Sequence, residues 1–104
     1  MDNNYEAFLK DNYECRKVTF EKYKDYINTW ECRRGTGARY RKQLRSFLYI
    51  YSNYLFKDVD TEYDIIRKFG KGIWDEKNMR RAFNEEEIDK YIVPIAEGYG
   101  AFSY

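Results

Sequence analysis

Arg33, Arg34, Arg39, Arg41, Lys42, Arg45 and Lys57 follow one another with no aspartate or glutamate between Cys32 and Lys57. Cations gathered this way do one kind of chemistry, the binding of anions, and phosphate oxygens are their most common partners. Within the same stretch, Gly35-Thr36-Gly37 offers a turn whose backbone amides open the next helix, a natural position for a phosphate group. The turn lacks the GxxxxGK spacing of a nucleotide-hydrolysing loop, so it binds without implying hydrolysis. At 100° per residue, Arg41, Lys42 and Arg45 fall opposite the apolar stripe of that helix, with Tyr49, Ser52 and Asn53 beside them. The reading is a solvent-facing surface in which arginine and lysine meet phosphates, serine and asparagine add hydrogen bonds, and Tyr49 stacks on a base or touches sugar.

Other chemistry is poorly supplied. The chain has no histidine among its 104 residues, which removes the commonest general base and the commonest metal ligand. Cys15 and Cys32 have sixteen residues between them and no CxxC pair, so they read as two reduced cysteines rather than a metal or redox site. Glu85, Glu86, Glu87 and Asp89 could form a metal-binding or DNA-mimicking patch, but the three adjacent glutamates point in different directions on a helix and serve better as helix-end charges than as a chelate. The pairs Asp58/Asp60 and Asp75/Glu76 read as turn and cap residues, and Trp30 and Trp74 as core and loop anchors. The expectation is a non-enzymatic protein without cofactor or metal.

The elements that must position the cations are helical. Asn4 caps a first helix over 4–15 carrying Tyr5, Phe8, Leu9 and Tyr13, and Thr19 caps a second over 19–31, with Val18 stapled to Tyr23 and a stripe of Phe20, Tyr23, Ile27 and Trp30. After the two glycines a long helix is predicted over 37–57, its buried side formed by Tyr40, Leu44, Phe47, Leu48, Tyr51, Tyr54 and Leu55. Asp60 or Thr61 opens a fourth helix to Phe69, where Gly70 stops it. Asp75 starts a short stretch towards Phe83, and Asn84 caps a last helix that Pro94 ends near 93. With no alternating strand pattern, the fold class is all-α: one domain over 1–104, a compact bundle of about five helices around a long central helix. Residues 98–104, with three aromatics and two glycines, are expected to form a docking tail that lies either on the body of the domain or on a partner.

Nineteen basic residues against eighteen acidic ones leave a net charge of +1, yet the run from Arg33 to Lys57 alone holds +7, so the remainder of the chain is strongly acidic. Two partner classes fit that separation. The first is nucleic acid, held through Arg33, Arg34, Arg39, Arg41, Lys42, Arg45 and Tyr49. The second is protein: a phage-type inhibitor or virion component that docks a partner, or another copy of itself, through its charged faces and through Tyr99, Phe102 and Tyr104 in the tail. The bland alternative is a solvated face that pairs with acids from neighbouring helices. The first residues carry no basic and apolar leader, and no run reaches the roughly 18–20 apolar residues a membrane helix needs. A cytoplasmic protein without a membrane partner is expected, in a host cytoplasm or a virion if viral.

The stretch Val18–Leu55, with Tyr26-Ile27, the Gly35-Thr36-Gly37 turn and Tyr40 through Leu44-Arg45-Ser46-Phe47, resembles the second half of the helical, SAM-like core-binding domain of phage integrases. Arg80-Arg81-Ala82-Phe83-Asn84-Glu85-Glu86-Glu87-Ile88 looks like the linker and first helix that lead from that domain into the catalytic one. The resemblance covers about half the chain and lacks the catalytic domain. It implies a DNA-binding or decoy module without strand cleavage, in which the basic helix carries over and Tyr104 is not a nucleophile.

Overall fold

The computed structural model describes residues 13–53 and 71–98. Every regular element among them is helical. Helix α1 spans Tyr13–Asn28 and tightens into a 3-10 turn at Thr29–Cys32. Helix α2 spans Ala38–Asn53. After a 3-10 turn at Lys71–Trp74 comes α3, Glu76–Ala82. The final rod, α4, is continuous but changes pitch: α-helical at Glu85–Glu87, π-helical at Ile88–Ile92, and α-helical again at Val93–Gly98. The all-α class stands. The 4–12 part of the first predicted helix, the helix over 61–69, Tyr54, Leu55 and Lys57, and the tail with Tyr99, Phe102 and Tyr104 lie outside the described residues.

Helix α1 packs between α2 and α4, while α2 also packs on α3 and on the Lys71–Trp74 turn. The core fills from all four helices: Phe20 and Ile27 from α1, Tyr40, Leu44, Phe47, Leu48 and Tyr51 from α2, Met79 and Ala82 from α3, and Ile92 and Ile95 from α4. Trp30 lies at the centre, edge-on to Tyr26 with ring centroids 5.6 Å apart and tilted on Phe83 at 5.2 Å. These are the aromatic pair geometries that the ring quadrupole favours. The predicted apolar stripe of α2 is buried at each of its described positions. The described part of α2 and α1 have sixteen residues each, and the predicted continuation of α2 to residue 57 lies outside the described residues.

Several boundaries move for identifiable reasons. Thr19 does not start a helix: α1 runs straight through it, and Val18 is 63% exposed instead of stapled. A cap residue is tolerated inside a helix when the flanking turns pack, as Phe20 does here. Asp75 and Asn84 are caps as expected. Asp75 accepts from the Lys77 amide at 2.9 Å. Asn84 accepts from the Glu87 amide at 2.8 Å while the Glu87 carboxylate accepts from the Asn84 amide at 3.3 Å, completing a reciprocal capping box. Pro94 does not end α4. It has no N–H to donate and its ring crowds the carbonyl four residues back, and the preceding turn widens so that the Val93 amide donates to Ile88, five residues back. The wider turn carries the helix past the proline to Gly98.

Candidate nucleic-acid interface

The N-terminus of α2 is shaped by two glycines with left-handed backbone. Gly35 has φ +93° and Gly37 φ +86°. A side chain on Gly35 would meet open space, whereas one on Gly37 would sit 2.4 Å from the Ala82 Cα. Gly37 therefore permits the end of α3 to touch the start of α2, backbone against backbone. The Ala38 amide donates to Gly35 and the Arg41 amide to Gly37.

This contact decides the fate of Arg41. Far from facing solvent, Arg41 is 5% exposed. Its guanidinium donates to the Ala82 carbonyl at 2.7 Å, the Arg34 carbonyl at 3.3 Å and the Thr36 carbonyl at 3.4 Å. Carbonyls at a helix C-terminus lack intrahelical donors and mark the negative end of the dipole, so Arg41 caps α3 from α2 and laces the glycine turn to both. Its charge is spent inside the protein. Ser52 is also buried, contrary to its expected place on an open face. Arg45 and Tyr49 are half-buried. Arg45 pairs with Glu31 at 2.7 Å, donates to Asn28 Oδ1 at 3.2 Å, and lies over the Tyr49 ring at 4.8 Å. The Tyr49 ring packs edge-on to Phe20 at 5.0 Å, so one residue expected to stack on bases is already engaged in the fold. The helical wheel missed these placements because it records only the helix's own apolar stripe, while α1 and α3 cover both flanks of α2.

Arg34, Arg39 and Lys42 remain exposed. Arg39 and Lys42, three residues apart on α2, line a hollow of about 230 Å³ together with Arg33, Ala38, Trp30 and Glu31. That volume lies below the roughly 300–1,000 Å³ of ordinary small-molecule pockets; it holds a group such as a phosphate, not a whole cofactor. Among the described residues that line it Glu31 is the one carboxylate, and Arg45 pairs with it. Sequence reading overlooked Glu31 because it lies just outside the acid-free run, immediately before Cys32.

Arg33 is shared between this hollow and α4. It bridges to Glu87 and lies over the Tyr26 ring at 5.6 Å. Glu87 also accepts from the Tyr26 hydroxyl at 2.8 Å, and Tyr26 stacks on Tyr91 of α4 with centroids 3.8 Å apart. Burial by itself would raise the Glu87 carboxyl, but the Tyr26 hydroxyl, the Asn84 amide and Arg33 outweigh it and hold the group below the ordinary carboxylate value. The Tyr26 hydroxyl is pushed well above the ordinary tyrosine value, by burial first and by Glu87 second. The acidic start of α4 thus takes up Arg33, while Glu85 and Glu86 stay exposed and Arg34, Arg39 and Lys42 are not paired with it.

Among the described residues no group of histidine, cysteine, aspartate or glutamate side chains is arranged to hold a metal ion, and no helix is long and apolar enough to cross a membrane. Cys32 is exposed and unbridged. No protein-family model, no curated protein and no solved structure matches the chain.

Proposed function

We propose that the chain is a non-enzymatic module that binds the phosphate backbone of nucleic acid at the start of α2, through Arg34, Arg39 and Lys42 with Arg33 in support. The carrying observation is the convergence of Arg33, Arg39 and Lys42 on one hollow at the N-terminus of a sixteen-residue helix, where side-chain cations and the helix dipole favour the same charge. Arg41 and Arg45 of the wider basic set act from inside, as braces for the turn. Contacts to phosphate carry no sequence information, so binding is indifferent to sequence.

The site is small, and that sets its salt response. Four cations give a slope of log affinity against log salt of about −3 to −4 on duplex DNA, a loss on the order of 10²-fold between about 50 and 200 mM. Fluorescence anisotropy with labelled duplex and single-stranded DNA reads both quantities. Arg39→Ala with Lys42→Ala should weaken binding at least tenfold at the lower salt, with thermal stability unchanged. Binding that ignores this pair of substitutions, or shows no salt dependence, rejects the assignment.

The competing reading, a protein-docking module held in a cytoplasm or a virion, draws support from a different surface, the concavity between α3 and α4.

A further inference from the structure

Between α3 and α4 lies a groove of about 740 Å³ that shares no lining residue with the basic hollow. Its floor is apolar: Met79, Phe83 and Ile92 are buried members of the core. Its wall is apolar as well, and the π-helical turn builds that wall. In an α-helix Ile88 and Val93 would stand about 140° apart; the wider turn closed by the bond from the Val93 amide to Ile88 brings them towards one side, both half-buried and both on the groove. The rim is acidic. Glu76 and Arg80 neutralise each other at 2.7 Å, which leaves Glu85 and Asp89, four residues apart and without an ion pair among the described residues, to set the sign of the field.

We infer that this groove is a docking site for a basic amphipathic helix of a partner protein. An apolar trough between two helices accepts leucine-like side chains spaced three and four residues apart, and a carboxylate rim selects lysine or arginine flanking them. Nucleic acid is disfavoured here by the same carboxylates. The described surface of a second copy offers little to fill it, because its only exposed large hydrophobic residue is Val18, a single side chain against a groove lined by five apolar residues.

The chain contains two methionines, Met1 and Met79, so protein carrying ¹³C-labelled methionine methyls gives two resonances, one of them on the groove floor. An eighteen-residue peptide of leucine and lysine with leucines on one helical face is titrated in, beside a peptide in which glutamate replaces lysine. Saturable movement of the Met79 resonance with the lysine peptide, a response at least tenfold weaker with the glutamate peptide, and a five- to tenfold loss of affinity in E85Q/D89N are expected. The Arg39→Ala, Lys42→Ala protein should bind the peptide normally, which separates this site from the phosphate site. A Met79 resonance that ignores the lysine peptide, as it would if another part of the chain fills the groove, overturns the inference. So does equal response to both peptides, or movement that follows protein concentration alone, which would mark self-association.

Discussion

Arg41 and Glu87 are charged groups that earn their positions by what they hold together. Arg41 joins three carbonyls, two from the connection between α1 and α2 and one at the end of α3, and removing it would leave those acceptors and the cavity of its side chain inside the protein. Truncation of a buried, hydrogen-bonded charge costs about 2–4 kcal/mol, so Arg41→Ala should lower the melting temperature by several degrees while the protein that remains folded binds DNA as before. Arg41→Lys should recover little, since an ammonium cannot span the same carbonyls as a planar fork. Thermal unfolding beside anisotropy checks both; a variant of full stability that loses binding would return Arg41 to the interface. Glu87 predicts a pH limb. Its folded value lies below the ordinary one, so its contribution is present above the unfolded carboxylate value near pH 4.5 and is lost as pH falls through the folded value. Melting temperatures followed downward from pH 6 should therefore drop in the wild type, and Glu87→Gln should start lower and respond less steeply. Parallel curves would remove Glu87 as the group responsible.

At the scale of elements, the glycine turn separates strain from space. Both glycines have positive φ, but only Gly37 also faces backbone at a distance no Cβ can share. Gly35→Ala should cost about 1–2 kcal/mol from backbone conformation alone. Gly37→Ala should cost clearly more, because α3 must move away from α2 and take with it the carbonyl that Arg41 holds; chemical denaturation of the two variants ranks them, and equal losses would show that the α2–α3 contact is looser than the geometry states. The same elements show what a single sequence discloses. The Asn84 cap was legible because cap chemistry is local, confined to a few residues, and the buried stripe of α2 because its period is internal to one helix. Thr19 and Pro94 misled for the complementary reason. Each is a local signal that packing overrode, the first by core contacts of α1 on either side of it, the second by a π turn that no periodicity in the sequence announces. Likewise, the +7 run was plain in the sequence, but its division into exposed cations and internal braces depends on which helices flank α2, information that sequence spacing does not carry.

For the molecule as a whole, helices from distant parts of the chain are joined by tyrosine hydroxyls as well as by apolar packing. Tyr26 ties α1 to α4 through Glu87, and Tyr40 ties α2 to the Lys71–Trp74 turn by donating to the Ile73 carbonyl at 2.5 Å. Each hydroxyl donates, so each works only while protonated. Both are pushed well above the ordinary tyrosine value of 10.0, Tyr26 by burial and then by Glu87, Tyr40 by burial and then by Asp75. The sign of the linkage follows: a raised folded value gives stability that is fully present below the unfolded value and is lost as pH rises above it towards the folded one. Between neutrality and about pH 9 these groups should leave the melting temperature flat. Above about pH 10 each can remove up to ~1.4 kcal/mol per pH unit, and because the two join different pairs of elements, their losses should add. Tyr26→Phe and Tyr40→Phe should each be less stable at neutral pH yet flatter in the alkaline range, and the double variant flatter still. An alkaline limb of the same slope in all four proteins would place the responsible protons elsewhere and leave apolar packing as the main tie between the two halves of the described fold.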